Sequence, residues 1–211
     1  MSEPILQLKN IEKIYGNVIA LKGVCVDVYP GEIRGLIGEN GSGKSTITSI
    51  ASGMQKATSG EMIFKNQPWK PNNMIEALQL GVGMIVQESG TISGVTVAEN
   101  IFLAELDQFK NKFGIVNRKM MNEKANQVME NIGVTNVKGN MPMAMLDFQT
   151  RKLVEIAKVA MKEPDVLVID ETSTALSHDG REIMYKLINQ FRDKGKQLWW
   201  DILPSRHMRE R

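Results

Sequence analysis

Cysteine is all but missing: Cys25 is the single one among 211 residues. One thiol cannot close an internal disulfide, so no disulfide framework holds the fold, and the count fits a reducing compartment. Long apolar runs are missing too. No stretch approaches the roughly 18–20 consecutive apolar residues that cross a bilayer. The opening Met1-Ser2-Glu3-Pro4 is acidic, where a secretory signal would be basic and then apolar. A soluble, cytoplasmic chain is the expectation. Nor is there an excess of one charge, since 26 basic residues face 24 acidic ones and leave a formal charge of +2. That balance gives no bulk electrostatic reason to bind nucleic acid or a membrane surface. Internal repeats and low-complexity linkers are absent from the sequence as well. With 42% apolar residues the chain is too hydrophobic to be disordered. Its length suits one domain with room for a subdomain, burying about 70% of the surface that the unfolded chain would expose.

What is present alternates. Residues 5–9 and 24–28 read as short strands, and Tyr29-Pro30-Gly31-Glu32 as a turn before a further strand at 32–37. That strand runs into Gly38-Glu39-Asn40-Gly41-Ser42-Gly43-Lys44-Ser45-Thr46, after which 47–52 reads as helix and stops at Gly53. Residues 59–64 continue the strand-rich first part, and 82–86 make a buried strand ending at Gln87. From residue 97 to about 160 the pattern turns helical, with helices expected over 97–106, 118–132 and 150–161. Val166-Leu167-Val168-Ile169 is a continuous apolar run, the mark of a parallel strand covered on both faces. A further amphipathic helix is expected over 183–192. Strands alternating with helices indicate an α/β fold with a mostly parallel sheet. The helix-only middle indicates an inserted helical subdomain.

The stretch Gly38-x4-Gly43-Lys44-Ser45 fits the phosphate-loop pattern G-x4-G-K-[S/T]. Its glycines let the backbone turn so that successive N–H groups face a phosphate, and the helix that follows presents its positive end there. Lys44 is placed to reach the β- and γ-phosphates, and the Ser45 hydroxyl to ligate Mg²⁺. The bland alternative is a glycine-rich turn between strand and helix. By average residue usage the pattern arises by chance in roughly one chain of this length in a hundred, and here it has a strand before it and a helix after it. ATP with Mg²⁺ is the expected ligand. Gly38, Asn40, Gly41, Ser42, Gly43, Lys44, Ser45 and Thr46 form its candidate binding set.

An apolar strand ending in Asp170-Glu171 is the companion that such a loop needs. Asp170 can hold the Mg²⁺ shell beside Ser45. Glu171 is then placed to polarise a water attacking the γ-phosphate, as general base. Alone, an acidic pair after a strand is usually a solvated turn, because charged residues favour the surface; the upstream loop reverses those odds. Gln87, also at a strand end, can sense the metal or the water through its neutral amide. The candidate catalytic residues are Glu171, Gln87 and Lys44, and the candidate metal residues Ser45, Asp170 and Gln87.

The loop, Gln87, the strand into Glu171 and the helical insertion together resemble the nucleotide-binding domain of an ABC transporter, from about Ile5 to Asp193. Three stretches are similar to the first ATPase half of importers for ribose, galactose and similar sugars: the phosphate loop, Ser93-Gly94-Val95-Thr96-Val97-Ala98-Glu99-Asn100-Ile101-Phe102-Leu103, and Val154-Glu155-Ile156-Ala157-Lys158. The resemblance implies a P-loop NTPase core with a mostly parallel sheet, an N-terminal antiparallel β subdomain and an inserted α-helical subdomain. It implies one domain over 1–211, with core and β subdomain in 1–95 and 161–211 and the helical part in 96–160. Tyr15 matches the aromatic position on which the family stacks adenine; its bland reading is a strand-edge tyrosine. The resemblance further implies membrane permease subunits as partners, faced by the segment from about Gln87 through Ala104. It implies a second ABC ATPase domain, the same chain or another, bound head to tail, and a periplasmic or extracellular sugar-binding protein as an indirect partner. The expected place is the cytoplasmic face of the cell membrane.

Three departures from the family stand out. Its signature, Leu-Ser-Gly-Gly-Gln or Leu-Ser-x-Gly-Gln, aligns with Leu146-Asp147-Phe148-Gln149-Thr150, so a carboxylate replaces the serine hydroxyl and Gln149 replaces the glycine that lets backbone approach closely. Asp147 is also a good N-cap for the helix that follows, and both readings can hold together. After the acidic pair, Thr172 stands where the family usually has proline. Near the C-terminus, Leu203 occupies the frame of the family's switch histidine, while His207 lies past Pro204 in a polar tail. The end therefore reads as truncated or frame-shifted relative to the family, and the second ATPase half of the sugar importers is absent. Of the 14 methionines, most read as core filler, and the run Met141-Pro142-Met143-Ala144-Met145 can also pad a contact surface. Two functions follow: an ATPase subunit driving sugar import, or a nucleotide-binding module with impaired hydrolysis. Lys44, Ser45, Gln87, Asp170 and Glu171 favour the first, and the altered signature and displaced histidine the second.

Overall fold

The computed structural model describes residues 3–39, 41–86, 90–170 and 178–202, with backbone alone over 200–202. The chain divides into two units, one built from Met1–Ile85, Glu163–Thr172 and Ile188–Arg211, the other from Val86–Lys162 and Ser173–Leu187.

In the first unit, β1 (Leu6–Tyr15) and β2 (Val18–Val28) form an antiparallel hairpin, and β4 (Ser59–Phe64) and β5 (Gln67–Pro68) extend it in the order β2-β1-β4-β5. Leu6, Leu8 and Ile11 of β1 are fully buried. The sequence pattern predicts a first strand over 5–9 only. Asn10 takes a left-handed φ of 51°, and the register against β2 slips between Leu8 and Ile11. The strand resumes beyond this bulge, so β1 and β2 are longer than 5–9 and 24–28. The second sheet is parallel, in the order β3-β8-β7-β6, from β3 (Ile33–Ile37), β8 (Gln197–Ile202), β7 (Val166–Ile169) and β6 (Val82–Ile85). Every residue of β6 and β7 is buried, as continuous apolar runs demand. Helix α1 (Lys44–Ala51) follows the phosphate loop. A short helix, α2 (Met74–Leu80), which the periodicity did not reveal, starts where Asn73 accepts a hydrogen bond from the Glu76 N–H and ends at Gly81.

The second unit is helical. α3 (Val97–Phe102) begins in a reciprocal cap: Thr96 accepts from the Glu99 N–H and Glu99 from the Thr96 N–H. This backbone bond also holds the Glu99 carboxyl below its ordinary pKa. The helix expected over 97–106 ends at Phe102 and tightens into a 3-10 turn over Leu103–Phe109. α4 (Arg118–Asn131) and α5 (Phe148–Ala160) complete the packing around Phe102, Phe109, Met129, Met143 and Val154. Met143 is fully buried while Met145 is exposed, so the methionine run contributes to core and surface alike. α6 (His178–Asp193) starts five residues before the apolar pattern begins at Ile183, because its first residues, His178 and Asp179, are polar and exposed.

Gly60 tests how tightly the antiparallel sheet is built. Its φ is 99°, and a Cβ there would lie 2.4 Å from the Asn10 carbonyl oxygen and 2.7 Å from that of Lys9. Backbone cannot yield as a flexible side chain would. Gly60→Ala should therefore cost roughly 3 kcal/mol, measured as a lower midpoint in denaturant unfolding; an unchanged midpoint would contradict this packing.

Candidate nucleotide-binding site

β3 delivers the chain into the loop at Gly38, and α1 starts at Lys44. Gly43, the N-cap, sits at φ 89° and offers no side chain to the first-turn N–H groups, and that turn carries no acidic residue. Those amides and the helix dipole are left for an anion. Gly43 is also crowded: a Cβ there would lie 2.6 Å from Leu21 Cδ2 and 3.0 Å from the Ala20 carbonyl oxygen, both of β2. Lys44 is buried, and its ammonium donates to the carbonyls of Gly38 at 3.0 Å and Glu39 at 3.3 Å. These two carbonyls are neutral acceptors, which phosphate oxygens can outcompete. Gly41 and Ser42 are exposed on the loop, and Thr46 is half-buried in the first turn of α1.

Asp170 follows β7 and is buried, with its N–H bonded to the Ile85 carbonyl at 3.0 Å. The exposed Ser45 donates its hydroxyl to Asp170 Oδ1 at 3.2 Å. Two hard oxygen ligands from residues 125 positions apart thus meet beside the loop, a donor set suited to a divalent cation. Tyr15 lies exposed at the end of β1, paired with Val18. Its hydroxyl donates to Gln55 Oε1, and the Lys13 ammonium lies 5.0 Å from its ring centroid. Asn40, Gln87 and Glu171 lie outside the described residues, as do Thr172, Leu203 and His207.

In the second unit, Asp147 is the N-cap of α5 and accepts the Thr150 N–H at 2.7 Å. That bond holds its carboxyl below the ordinary aspartate pKa, so it is an anion at neutral pH. Gln149 is exposed beside it, and both line a cleft of about 240 Å³ with Asp179 and Gly180. The N-cap reading of Asp147 therefore holds.

No sequence motif marks Lys152, and Glu155 falls only within the family stretch Val154-Glu155-Ile156-Ala157-Lys158. Lys152 is fully buried in α5 and pairs with Glu155 at 3.0 Å. The Lys152 ammonium also donates to the Val86 carbonyl, and the Glu155 carboxylate accepts the N–H groups of Val86 and Gly90, each at 3.4 Å. The pair ties both flanks of the segment containing Gln87 to one helix. A signal was there: Lys152, Glu155, Ile156 and Val159 share the i, i+3, i+4, i+7 stripe of a buried helix face, where two charges must answer each other. Lys152→Met leaves Glu155 buried without its cation and should cost about 3–5 kcal/mol, with Lys152→Met/Glu155→Gln regaining much of it. Denaturant unfolding of the single and double variants checks this, and strictly additive losses would contradict the pairing.

The sequence model of the ABC transporter family matches residues 21–174. A ribose import ATP-binding protein of Escherichia coli O157:H7, RbsA 2, is 38% identical over 195 residues, covering 92% of this chain and 38% of its own length. Its counterpart RbsA 1 of Rubrobacter xylanophilus is 33% identical over 207 residues, covering 98% and 40%. The chain spans about two fifths of the length of these curated relatives. Among solved structures, a nucleotide-free ATP-binding cassette from an ABC transporter superposes with a TM-score of 0.77 at 26% identity, over 96% of this chain and 82% of that one. A dimeric cassette in a post-hydrolysis state, bound to ADP and Pi, shares the fold with a TM-score of 0.78 at 24% identity, over 93% and 87%. The buried lysine and glycine turn of the loop, the acidic end of β7 and the match across both units lead to one conclusion: the chain belongs to the ABC transporter family and has the fold of its ATP-binding cassette.

Proposed function

We propose that this chain is the ATP-binding unit of a sugar importer, working on the cytoplasmic face of the membrane and coupling MgATP binding and hydrolysis to transport. The observation that carries the reading is the bond from Ser45 Oγ to Asp170 Oδ1 at 3.2 Å beside the phosphate loop. Adjacent oxygens around an octahedral Mg²⁺ stand about 2.9 Å apart, so this pair fits a magnesium shell, with Gln87 as a third contributor. Mg²⁺, when bound, neutralises charge between the β- and γ-phosphates. Lys44 transfers its ammonium from the Gly38 and Glu39 carbonyls to the phosphates, while the loop from Gly38 through Thr46, Asn40 included, cradles them. Tyr15 stacks on adenine. Glu171 accepts the proton of the attacking water. The names of the ribose import relatives support sugar as the cargo. The same reading takes 1–211 as one ATP-binding domain whose helical part is 96–160. It pairs the chain with membrane permease subunits, with a second ABC ATPase domain head to tail, and indirectly with a sugar-binding protein. Among the described residues no helix is long and apolar enough to cross a membrane.

Asp147 favours a second reading, a nucleotide-binding module with impaired hydrolysis. In a head-to-tail homodimer its carboxylate would face the partner's γ-phosphate, and two like charges a few Å apart cost on the order of several kcal/mol at an effective dielectric near 20. A partner with an intact signature would relieve that repulsion and complete the site built on Lys44 and Glu171.

Removing the ammonium should be felt first in binding. Lys44→Ala should lower ATP affinity tenfold or more, about 1.4 kcal/mol, and equal calorimetric titrations of the two proteins would refute the assignment. Glu171→Gln should keep nucleotide binding and lose most phosphate release; unchanged release would mean that the activity uses another group.

The signature can be tested without losing the cap, because serine caps a helix as well as aspartate does. On a Glu171→Gln background that retains nucleotide, Asp147→Ser/Gln149→Gly should increase ATP-dependent dimerisation by about tenfold or more, read by sedimentation. Dimerisation equal to that of the Glu171→Gln parent would show that Asp147 and Gln149 are not the obstacle.

A further inference from the structure

The phosphate loop and Tyr15 are held in one frame. Gly43, the N-cap of α1, lies against Ala20 and Leu21 of β2. Across the hairpin Leu21 pairs with Lys13, and Val18 with Tyr15. Tyr15 therefore lies about 7 Å further along β1 than the residue opposite Leu21, and it is 44% exposed. At its other end α1, eight residues and so about 12 Å long, passes into the segment 54–58. The N–H groups of Met54 and Gln55 donate to the Ser49 carbonyl at 2.9 and 3.1 Å. That segment is in turn stitched to the end of β1. The Thr58 N–H donates to the Glu12 carbonyl at 2.8 Å, the Ile14 N–H to Thr58 Oγ1 at 3.1 Å, and the Lys13 ammonium to the Lys56 carbonyl at 2.7 Å.

One contact in this frame acts on a ring rather than on backbone. The Tyr15 hydroxyl donates to Gln55 Oε1. An exposed tyrosine at a strand end can occupy several rotamers, and a bond at the far end of its ring selects one. The Lys13 ammonium, tethered to Lys56, lies over one face of that ring, 5.0 Å from the centroid. With a cation on one face, the opposite face is the one left for a flat base. A ring fixed before the nucleotide arrives costs less to order than one caught in place on binding.

We propose that Gln55 is a positioning residue for the nucleotide base: it accepts the Tyr15 hydroxyl and so sets the ring for stacking. The inference rests on the proposed ATP site with Tyr15 as its stacking surface. Gln55 acts through Tyr15, and its effect is confined to ligands that carry a base.

Calorimetric titrations of the full chain with MgATP and with inorganic tripolyphosphate, which has no base, separate positioning from a merely structural role. Gln55→Leu should weaken ATP binding about threefold to tenfold and leave tripolyphosphate binding and the melting temperature unchanged. Gln55→Glu, which keeps an acceptor for the hydroxyl, should bind ATP as the unaltered chain does. Tyr15→Phe, which keeps the ring and loses the hydroxyl, should match Gln55→Leu, and combining the two should add no further loss. Full ATP affinity in Gln55→Leu, an equal loss with tripolyphosphate, no rescue by Gln55→Glu, or additive losses in the double variant would overturn the proposal. An unaltered chain that binds no ATP would overturn the ATP site itself and this proposal with it, an outcome distinct from the others.

Discussion

The site depends on a strand that arrives last. β3 carries the phosphate loop and β7 carries Asp170, yet they do not pair, because β8 lies between them and runs parallel to both. Two strand spacings separate β3 from β7, about 9–10 Å. Parallel orientation puts their carboxyl ends on one edge of the sheet, where open α/β folds bind ligands. Only then can Ser45, at the first turn after the loop, reach Asp170. Without Gln197–Ile202 in place, the lysine cradle would persist as local structure, but the acidic strand end would have no fixed distance from it.

That central strand is also the least comfortable one. Trp199 is fully buried, and neither its indole N–H nor Gln197 Oε1 finds a hydrogen-bond partner among the described residues. Each orphaned polar atom costs about 1–3 kcal/mol. The loss is set against the burial of Leu198 and the large Trp199 ring, together with backbone bonds to neighbours on both sides. β7 shows the opposite solution, four aliphatic residues with nothing polar to satisfy until Asp170.

Much of this was legible in the sequence because the relevant chemistry is local. The phosphate loop needs glycine, lysine and serine at fixed offsets, and the Val166–Ile169 run needs only to be apolar, so both declare themselves in a few residues. Thr96 with Glu99 and Asp147 with Thr150 act over three residues and are equally readable. What stayed hidden depends on distant partners. The bulge at Asn10 cut β1 short in the reading because alternation is judged strand by strand, whereas the pairing with β2 continues past it. α2 is too brief for a periodic signal. No motif in the local sequence marks Lys152, because the Val86 carbonyl that it reaches lies 66 positions away.

The intact phosphate loop and the altered signature make different physical demands, which is why one can fail while the other works. A phosphate cradle is made mostly of backbone: N–H groups, a helix end and glycines that allow the turn, with Lys44 the one side chain that must be right. The signature asks instead for a neutral hydroxyl and bare backbone at the start of α5. Asp147 satisfies the helix it begins as well as serine would, and its bond to Thr150 fixes the carboxylate in its ionised form at that end of the helix. Folding therefore exerts no pressure against the substitution, and in the proposed head-to-tail dimer the penalty falls on the contact with the second chain. Under the proposed function, nucleotide binding and the closing of a dimer become separable properties of this sequence, the first assigned to Gly38 to Ser45 and the second to the charge at residue 147.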